Sequence, residues 1–175
     1  MSYDLMVFEP SIAPRDPSGL IAWYEATTEW KEEHSYIDPA VCSPALRDWF
    51  LEMIKTFPAM NGPDASNSSD DATVTDYCVG RTAIYAGFAG SIGERAYAES
   101  FRLAQQFGLG FFEASGTGGF WRPDDAGRYA ETNTDGVPRT PRLERLQAAF
   151  PTMRIVSSPA SEHLSSMLAG SEDKK

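Results

Sequence analysis

The chain has 175 residues, of which 42% are hydrophobic and 12% aromatic. This composition is typical of one folded domain with a full hydrophobic core and excludes a wholly disordered protein. The net charge of −10 makes nucleic acid and anionic membranes poor partners, because both are repelled. The net charge comes entirely from residues 1–80, which carry 14 acidic and 4 basic side chains, whereas residues 81–175 carry 11 of each and are neutral overall. Such a field attracts positively charged surfaces.

The first half of the chain predicts one strand and two helices. Residues 4–9 form a short apolar run typical of a strand. Asp16-Pro17 then supplies an N-cap and a first-turn proline for a helix that we expect to reach Trp30 or slightly beyond. Ser43-Pro44 repeats this signal before the clearest amphipathic helix of the chain. Residues 61–73, rich in Asn, Gly, Pro, Ser and Asp, predict a long mobile loop.

The second half predicts a third helix among short strands. Ser91 and Glu94 fit a capping box that starts this helix, and Gly108 ends it in the left-handed conformation. The order β-α-α-β-β-α-β-β predicts an α+β fold, in which an antiparallel or mixed sheet of four to five strands carries about three helices on one face. The predicted strands here are residues 74–79, 82–88, 109–113 and, as a short edge strand, 120–122.

We expect residues 1–123 to form a single α+β domain. After this point the composition becomes polar, with glycine and proline, and Thr140-Pro141 starts one more short helix. We therefore assign residues 124–175 to a C-terminal extension with a helical tail and a frayed end.

The location of the protein is predicted from its N-terminus and its cysteines. The N-terminal sequence lacks the basic region and the apolar stretch of a signal peptide, and no apolar run approaches the ~20 residues of a membrane span. We therefore expect a cytoplasmic protein in which Cys42 and Cys78 are free thiols. Cys42 lies near a helix start, which can lower a thiol pKa, but no base is evident and a packed thiol is expected.

Three stretches of sequence carry a resemblance to a known family. They are the opening Tyr3-Asp4-Leu5-Met6-Val7-Phe8-Glu9, the Phe57-Pro58 helix stop before a polar acidic loop, and Gly108-Leu109-Gly110-Phe111-Phe112-Glu113 before a hairpin. Over residues 3–123 the chain resembles a family of small, mostly uncharacterised bacterial cytosolic α+β proteins. Some of these are similar to immunity proteins, which bind polymorphic or type VI secreted toxins in the producing cell. The resemblance implies a toxin inhibitor and carries no catalytic residues.

The segment 25–38 is the strongest candidate binding surface. If the first helix continues that far, Glu25, Glu29 and Glu32 share one face at i, i+4 and i+7, where like charges repel by roughly a few tenths of a kcal/mol per pair. Acids beside aromatic anchors are typical of an interface for a cationic partner; the alternative is a solvated helix face. The predicted partner-binding residues are Glu25, Glu29, Trp30, Glu32, Glu33, Tyr36 and Asp38, with Asp64, Asp70 and Asp71 as a secondary rim.

The sequence holds no evident catalytic constellation, and we expect no enzyme, no metal and no cofactor. The predicted loop at residues 61–73 lacks the ligand spacing of an EF-hand, and His34 is interpreted as a surface histidine. Residues 87–93 lie between a strand and a helix, where glycine loops bind phosphate, but the spacing and lysine of the phosphate-binding motifs are missing.

We therefore expect an acidic cytoplasmic immunity protein that neutralises a cognate toxin by covering its basic active site. Two other classes stay open. One is a small enzyme or ligand-binding domain that holds an anionic metabolite at the Gly87–Gly93 turn. The other is an adaptor that self-associates through the predicted edge strand at residues 120–122. The oligomeric state is not predicted.

Overall fold

A computed structural model describes residues 2–67, 71–116, 119–139 and 141–148. The strands within these residues are β1 (Ser2–Phe8), β2 (Asp76–Val79), β3 (Ala83–Ala89), β4 (Gly110–Glu113), β5 (Phe120–Pro123) and β6 (Tyr129–Thr132). The helices are α1 (Pro17–Thr27), α2 (Pro44–Thr56), α3 (Gly93–Phe107) and α4 (Pro141–Ala148), with single 3-10 turns at Pro39–Val41 and Gly90–Ile92. The predicted tail beyond residue 148 lies outside the described residues.

The strands form one antiparallel sheet in the order β2-β3-β1-β4-β5-β6. The predicted α+β class is confirmed, but the sheet has six strands instead of four or five. The added strand is β6, which pairs with β5 inside the segment that the sequence assigned to the C-terminal extension. β5 is therefore internal, and the prediction that residues 120–122 form an edge strand is wrong.

A tight hairpin turn between β5 and β6 explains why the sequence did not predict the sixth strand. The Asp124 carboxylate accepts hydrogen bonds from the backbone N–H groups of Ala126 and Arg128, each at 2.9 Å. Gly127 then adopts a φ of 76°, a left-handed conformation that glycine reaches without steric cost. The polar composition that suggested the start of a C-terminal extension is, at residues 124–128, the composition of a turn.

The sheet carries helices on both faces, not on one. Tyr3, Leu5 and Val7 pack in the cluster that α2 and α3 form on one face. Met6 and Phe8 pack on the other face, in the cluster that contains α1. Every residue of β1 from Tyr3 to Phe8 is buried, and such a continuous run is typical of a strand covered on both sides. The sheet is thus the middle layer of three.

Two predicted N-caps are confirmed and one is wrong. The Asp16 carboxylate accepts from Gly19 N–H at 2.7 Å and starts α1, and Ser43 caps α2. At α3 the N-cap is Ile92, without a side-chain hydrogen bond, because Ser91 lies inside the preceding 3-10 turn. The predicted left-handed helix end at Gly108 is confirmed, with a φ of 68°.

A buried carboxylate stabilises the face under α2 and α3. Glu113 is buried at the end of β4, and the Tyr3 hydroxyl donates a hydrogen bond to its Oε1. Burial, and then the neighbouring Glu113, raise the pKa of Tyr3 far above the ordinary value, so its hydroxyl stays protonated and remains a donor.

Tyr3→Phe is expected to lower the free energy of unfolding by about 2 kcal/mol, because it removes a donor from a buried carboxylate. Tyr77→Phe is the matched control, since the Tyr77 hydroxyl donates to a neutral acceptor, the Phe57 carbonyl, at 2.9 Å. This second change should cost about 1 kcal/mol. Urea unfolding measures both values, and equal losses would contradict a special role for the carboxylate.

Candidate functional site

An open cleft lies on the sheet face that α1 covers only in part. The α1 cluster packs over the end of this face that carries Phe8, where Trp23 contacts the Phe8 ring. The other end, near Ser2, stays open and forms a cleft of 630 Å³, called here the sheet-face cleft. Its lining includes two carboxylates, two aromatic rings, a thiol and a glycine: Asp4, Asp76, Trp30, Tyr85, Cys78 and Gly87.

Strand register brings the two carboxylates of the cleft into one row. Gly87 of β3 pairs with Asp4 of β1 on one side and with Asp76 of β2 on the other. Adjacent strands lie about 4.8 Å apart, so the two aspartates flank the glycine across roughly 10 Å. A Cβ at Gly87 would lie 3.3 Å from Asp4 Oδ1, so the glycine keeps the floor open between the acids.

The two aspartates have different environments. Asp4 is only 6% exposed, whereas Asp76 is exposed and accepts a hydrogen bond from Asn61 Nδ2 at 3.3 Å. Burial raises the pKa of Tyr85 above its ordinary range, and neighbouring Tyr24 and Asp4 add to the effect. The Tyr85 hydroxyl therefore stays protonated beside Asp4 and remains a hydrogen-bond donor.

Trp30 lines the cleft from a loop, residues 29–38, which is called here the acidic loop. Trp30 and Tyr36 have φ values of 53° and 58°, a left-handed conformation that is rare for bulky side chains. Their rings meet edge to face at 5.3 Å, and Trp30 also contacts the Tyr85 ring at 5.9 Å. Backbone strain of this kind costs about 1–3 kcal/mol per residue and persists where packing imposes it.

A histidine and a glutamate fix the same loop from inside. His34 Nε2 lies 2.6 Å from Glu32 Oε2, and Tyr36 N–H donates to His34 Nδ1 at 3.1 Å. This pattern places the histidine proton on Nε2. The His34 side chain is only 11% exposed, so its interpretation as a surface histidine is wrong. Glu32 also accepts from the backbone N–H of Arg81, at 3.1 Å, and thereby ties the loop to the β2–β3 turn.

The helix-face arrangement predicted for the acids is wrong. α1 ends at Thr27, where the Thr28 N–H and hydroxyl both donate to the Tyr24 carbonyl, each at 3.0 Å. Glu25 therefore lies on the helix, while Glu29 and Glu32 lie in the loop and share no helical face with it.

The remaining predicted residues of the segment have distinct local roles. Glu29 is exposed and pairs with Lys31, and Glu33 is exposed. Asp38 accepts from Ala40 N–H at 2.8 Å and caps the 3-10 turn. The structure thus brings Trp30 and the exposed acids together by a folded loop and not by helical periodicity.

The secondary rim lies on the segment that connects α2 to β2. Asp64 is exposed, and Asp70 lies outside the described residues. Asp71 accepts hydrogen bonds from the backbone N–H and hydroxyl of Thr73, each at 2.8 Å, and these bonds lower the Asp71 pKa. Met60 and Val74 of the same segment line the sheet-face cleft, whereas Asp64 and Asp71 are not among the residues that line it.

Asp4 and Asp76 were not among the predicted site residues, and Gly87 was predicted only as the start of the alternative anion-binding turn at residues 87–93. An aspartate inside the apolar run of β1 and a glycine inside a strand are both weak signals in the sequence. Only the pairing of β1 with the distant hairpin of β2 and β3 shows that these residues form one row. The same row disfavours an anionic metabolite at Gly87, since carboxylates flank it on both sides, and Glu94 adds a negative charge in the first turn of α3.

The described part of the chain holds no metal cluster, and its Cys42 thiol is not activated. No group of three or more His, Cys, Asp or Glu side chains there could hold a metal ion. Neither Cys42 nor Cys78 forms a disulfide. Burial raises the pKa of Cys42 to about 11, and its Sγ lies 3.1 Å from the Pro39 carbonyl.

The two thiols are expected to react with iodoacetamide at very different rates. At about pH 8 a pKa of about 11 leaves roughly 100-fold less thiolate at Cys42 than a pKa of 9 does. Cys78 is half-buried and lines the open cleft, so it should react first. Peptide mass spectrometry over time measures both rates, and faster modification of Cys42 would contradict its burial in the native state.

No family model, curated protein or solved structure matches this chain significantly. The family resemblance of residues 3–123 therefore stays a prediction. None of the described helices combines the length and the apolar character that a membrane crossing requires.

Proposed function

We propose that the protein binds a positively charged partner protein through the sheet-face cleft and the acidic loop. The observation that carries the proposal is the row in which Asp4, nearly buried, and Asp76, exposed, flank Gly87 in the cleft. A cation above Gly87 lies within reach of both carboxylates and gains attraction from each.

The aromatic walls favour a lysine or arginine side chain over a simple ion. Trp30 and Tyr85 line the cleft beside the two acids, and aromatic faces attract organic cations. A guanidinium or ammonium group also brings an apolar stem that can contact the rings. The cleft is thus suited to the tip of a basic side chain that projects from a protein surface.

The surroundings of the cleft favour a protein partner over a small molecule. Met60 is 52% exposed on one rim, and Ile37 is exposed on the acidic loop. Glu29 and Glu33 add exposed charge next to Trp30. An aromatic anchor with apolar and charged neighbours resembles the hot spots of protein interfaces.

These features support an immunity protein that neutralises a bacterial toxin in the cytoplasm of the producing cell. A toxin that acts on nucleic acid or nucleotides needs a basic active site, and a complementary acidic face can cover it and exclude the substrate. Electrostatic attraction speeds such an encounter, while buried aromatic contacts slow dissociation. The inhibitor itself needs no catalytic residue.

Affinity capture from the host at low ionic strength tests the proposal. We expect one stoichiometric basic protein, identified by mass spectrometry, whose recovery falls steeply as salt is added. The purified pair should then show one-to-one binding, and the protein should inhibit any toxic activity of its partner. A partner without a basic surface, or binding that salt leaves unchanged, would contradict the proposed mode of recognition.

A further inference from the structure

A second cavity lies on the same sheet face, at the end away from the sheet-face cleft. It has a volume of 210 Å³ and lies against β5, β6 and the chain that leads into α1. Two arginines, Arg15 and Arg122, line it together with Pro123, Asp124, Ala130 and Thr132. We call it the arginine pocket.

Arg122 is a buried cation without a carboxylate partner among the described residues. Its side chain projects from β5 and the residue is only 8% exposed. Its Nη1 and Nη2 donate to the backbone carbonyls of Ala13 and Pro14, at 3.2 and 2.6 Å. Its Nε has no hydrogen-bond acceptor in the described structure. A buried charge is costly unless a counter-charge compensates it.

The acid that lines the pocket does not supply this compensation. The Asp124 carboxylate is held by the guanidinium of Arg128, at 2.8 Å, and by two backbone N–H groups of its turn. The neighbouring charge that acts on Arg122 is instead positive. Burial, and then Arg15, lower the pKa of Arg122 below its ordinary value.

We infer that the arginine pocket binds a small oxyanion, a phosphate or a carboxylate group, between Arg122 and Arg15. An arginine has five N–H donors, and the two carbonyls occupy two of them, so donors remain for a ligand. Guanidinium groups bind phosphate and carboxylate oxygens strongly, and an anion bound between the two arginines offsets the repulsion between their positive charges. This site is independent of the acidic cleft and of the proposed partner protein.

Thermal unfolding in phosphate, acetate and chloride at equal ionic strength tests the site. We expect millimolar phosphate or acetate to raise the Tm by about 3 °C above the value in chloride. The rise identifies which oxyanion the pocket prefers. Arg15→Gln should abolish the rise in Tm, because it removes one of the two guanidinium groups that bind the anion. Arg15 is exposed, so the substitution should leave the fold intact. Arg95→Gln is the control, since Arg95 is an exposed arginine on α3, across the sheet, and the rise should persist.

A direct measurement completes the test without substituting Arg122. Its guanidinium holds the carbonyls of Ala13 and Pro14, so a substitution there would loosen that loop. In ¹⁵N NMR spectra the Arg122 Nε–H signal should move as the oxyanion is added and stay fixed as chloride is added. An equal Tm in all three salts, an equal rise in Arg15→Gln, or an unmoved Arg122 signal would each overturn the inference.

Discussion

Asp76→Lys is expected to weaken binding of the captured partner by about 100-fold, or about 2.7 kcal/mol. The change removes one carboxylate from the row across Gly87 and places an ammonium group where the partner's basic side chain is expected. Reversing a charge at the centre of a complementary interface costs several kcal/mol. The Asp76 side chain is exposed, and the one side-chain hydrogen bond it makes among the described residues is from Asn61. The fold should therefore survive the substitution. Isothermal titration measures the affinity.

Asp48→Lys is the matched control for this prediction. Asp48 is exposed on α2, which covers the opposite face of the sheet, and it belongs to the same acidic half of the chain. The substitution changes the net charge by the same amount but leaves the cleft intact, so the affinity should fall by no more than about threefold. Equal losses in the two variants would show that the general field, and not the cleft, attracts the partner.

Trp49→Ala is expected to lower the free energy of unfolding by about 4 kcal/mol. Trp49 is 1% exposed between α2 and α3, and its Nε1 donates to the Ser100 carbonyl at 3.1 Å. The substitution leaves a cavity, removes the edge-to-face contact with Tyr77, and deprives the carbonyl of its donor. Chemical denaturation followed by far-UV circular dichroism measures the loss.

Leu51→Ala on the same helix is the control, because Leu51 is 40% exposed and Trp49 is buried. Surface substitutions change stability by about 0.5 kcal/mol or less. If Trp49→Ala lowered the free energy of unfolding by as little as this, the result would contradict the packing of Trp49 between α2 and α3.

Local signals in the sequence predicted most elements of this fold. The caps at Asp16 and Ser43 and the left-handed Gly108 act within a few residues, so their chemistry can be read from the sequence directly. The end of α1 and the strand β6 could not be predicted in this way. Thr28 ends the helix through its own hydrogen bonds, and the turn at Gly127 resembles a polar linker until its partner strand is known.

The candidate site was predictable only in its charge and its aromatic anchor. Trp30 and the neighbouring acids stand out in the sequence, and the structure places Trp30 on the wall of the cleft. Asp4 and Asp76 are 72 positions apart in the sequence, and only their common neighbour Gly87 brings them together. Register between distant strands depends on the whole pattern of burial, which no short motif contains.

The two outer strands of the sheet differ in a way that limits how copies of this chain can associate. Beside β2, Val79 N–H donates to the Tyr36 carbonyl at 2.8 Å, and Ala59 bridges to Thr75 just before the strand, so this edge is closed by the chain itself. The outer backbone of β6 has no such partner within the described residues. A copy that adds its own β6 there uses up the free edge of both chains. Among the described strands, pairing of two copies through β6 would therefore close as a two-fold symmetric dimer and would not extend into a fibre.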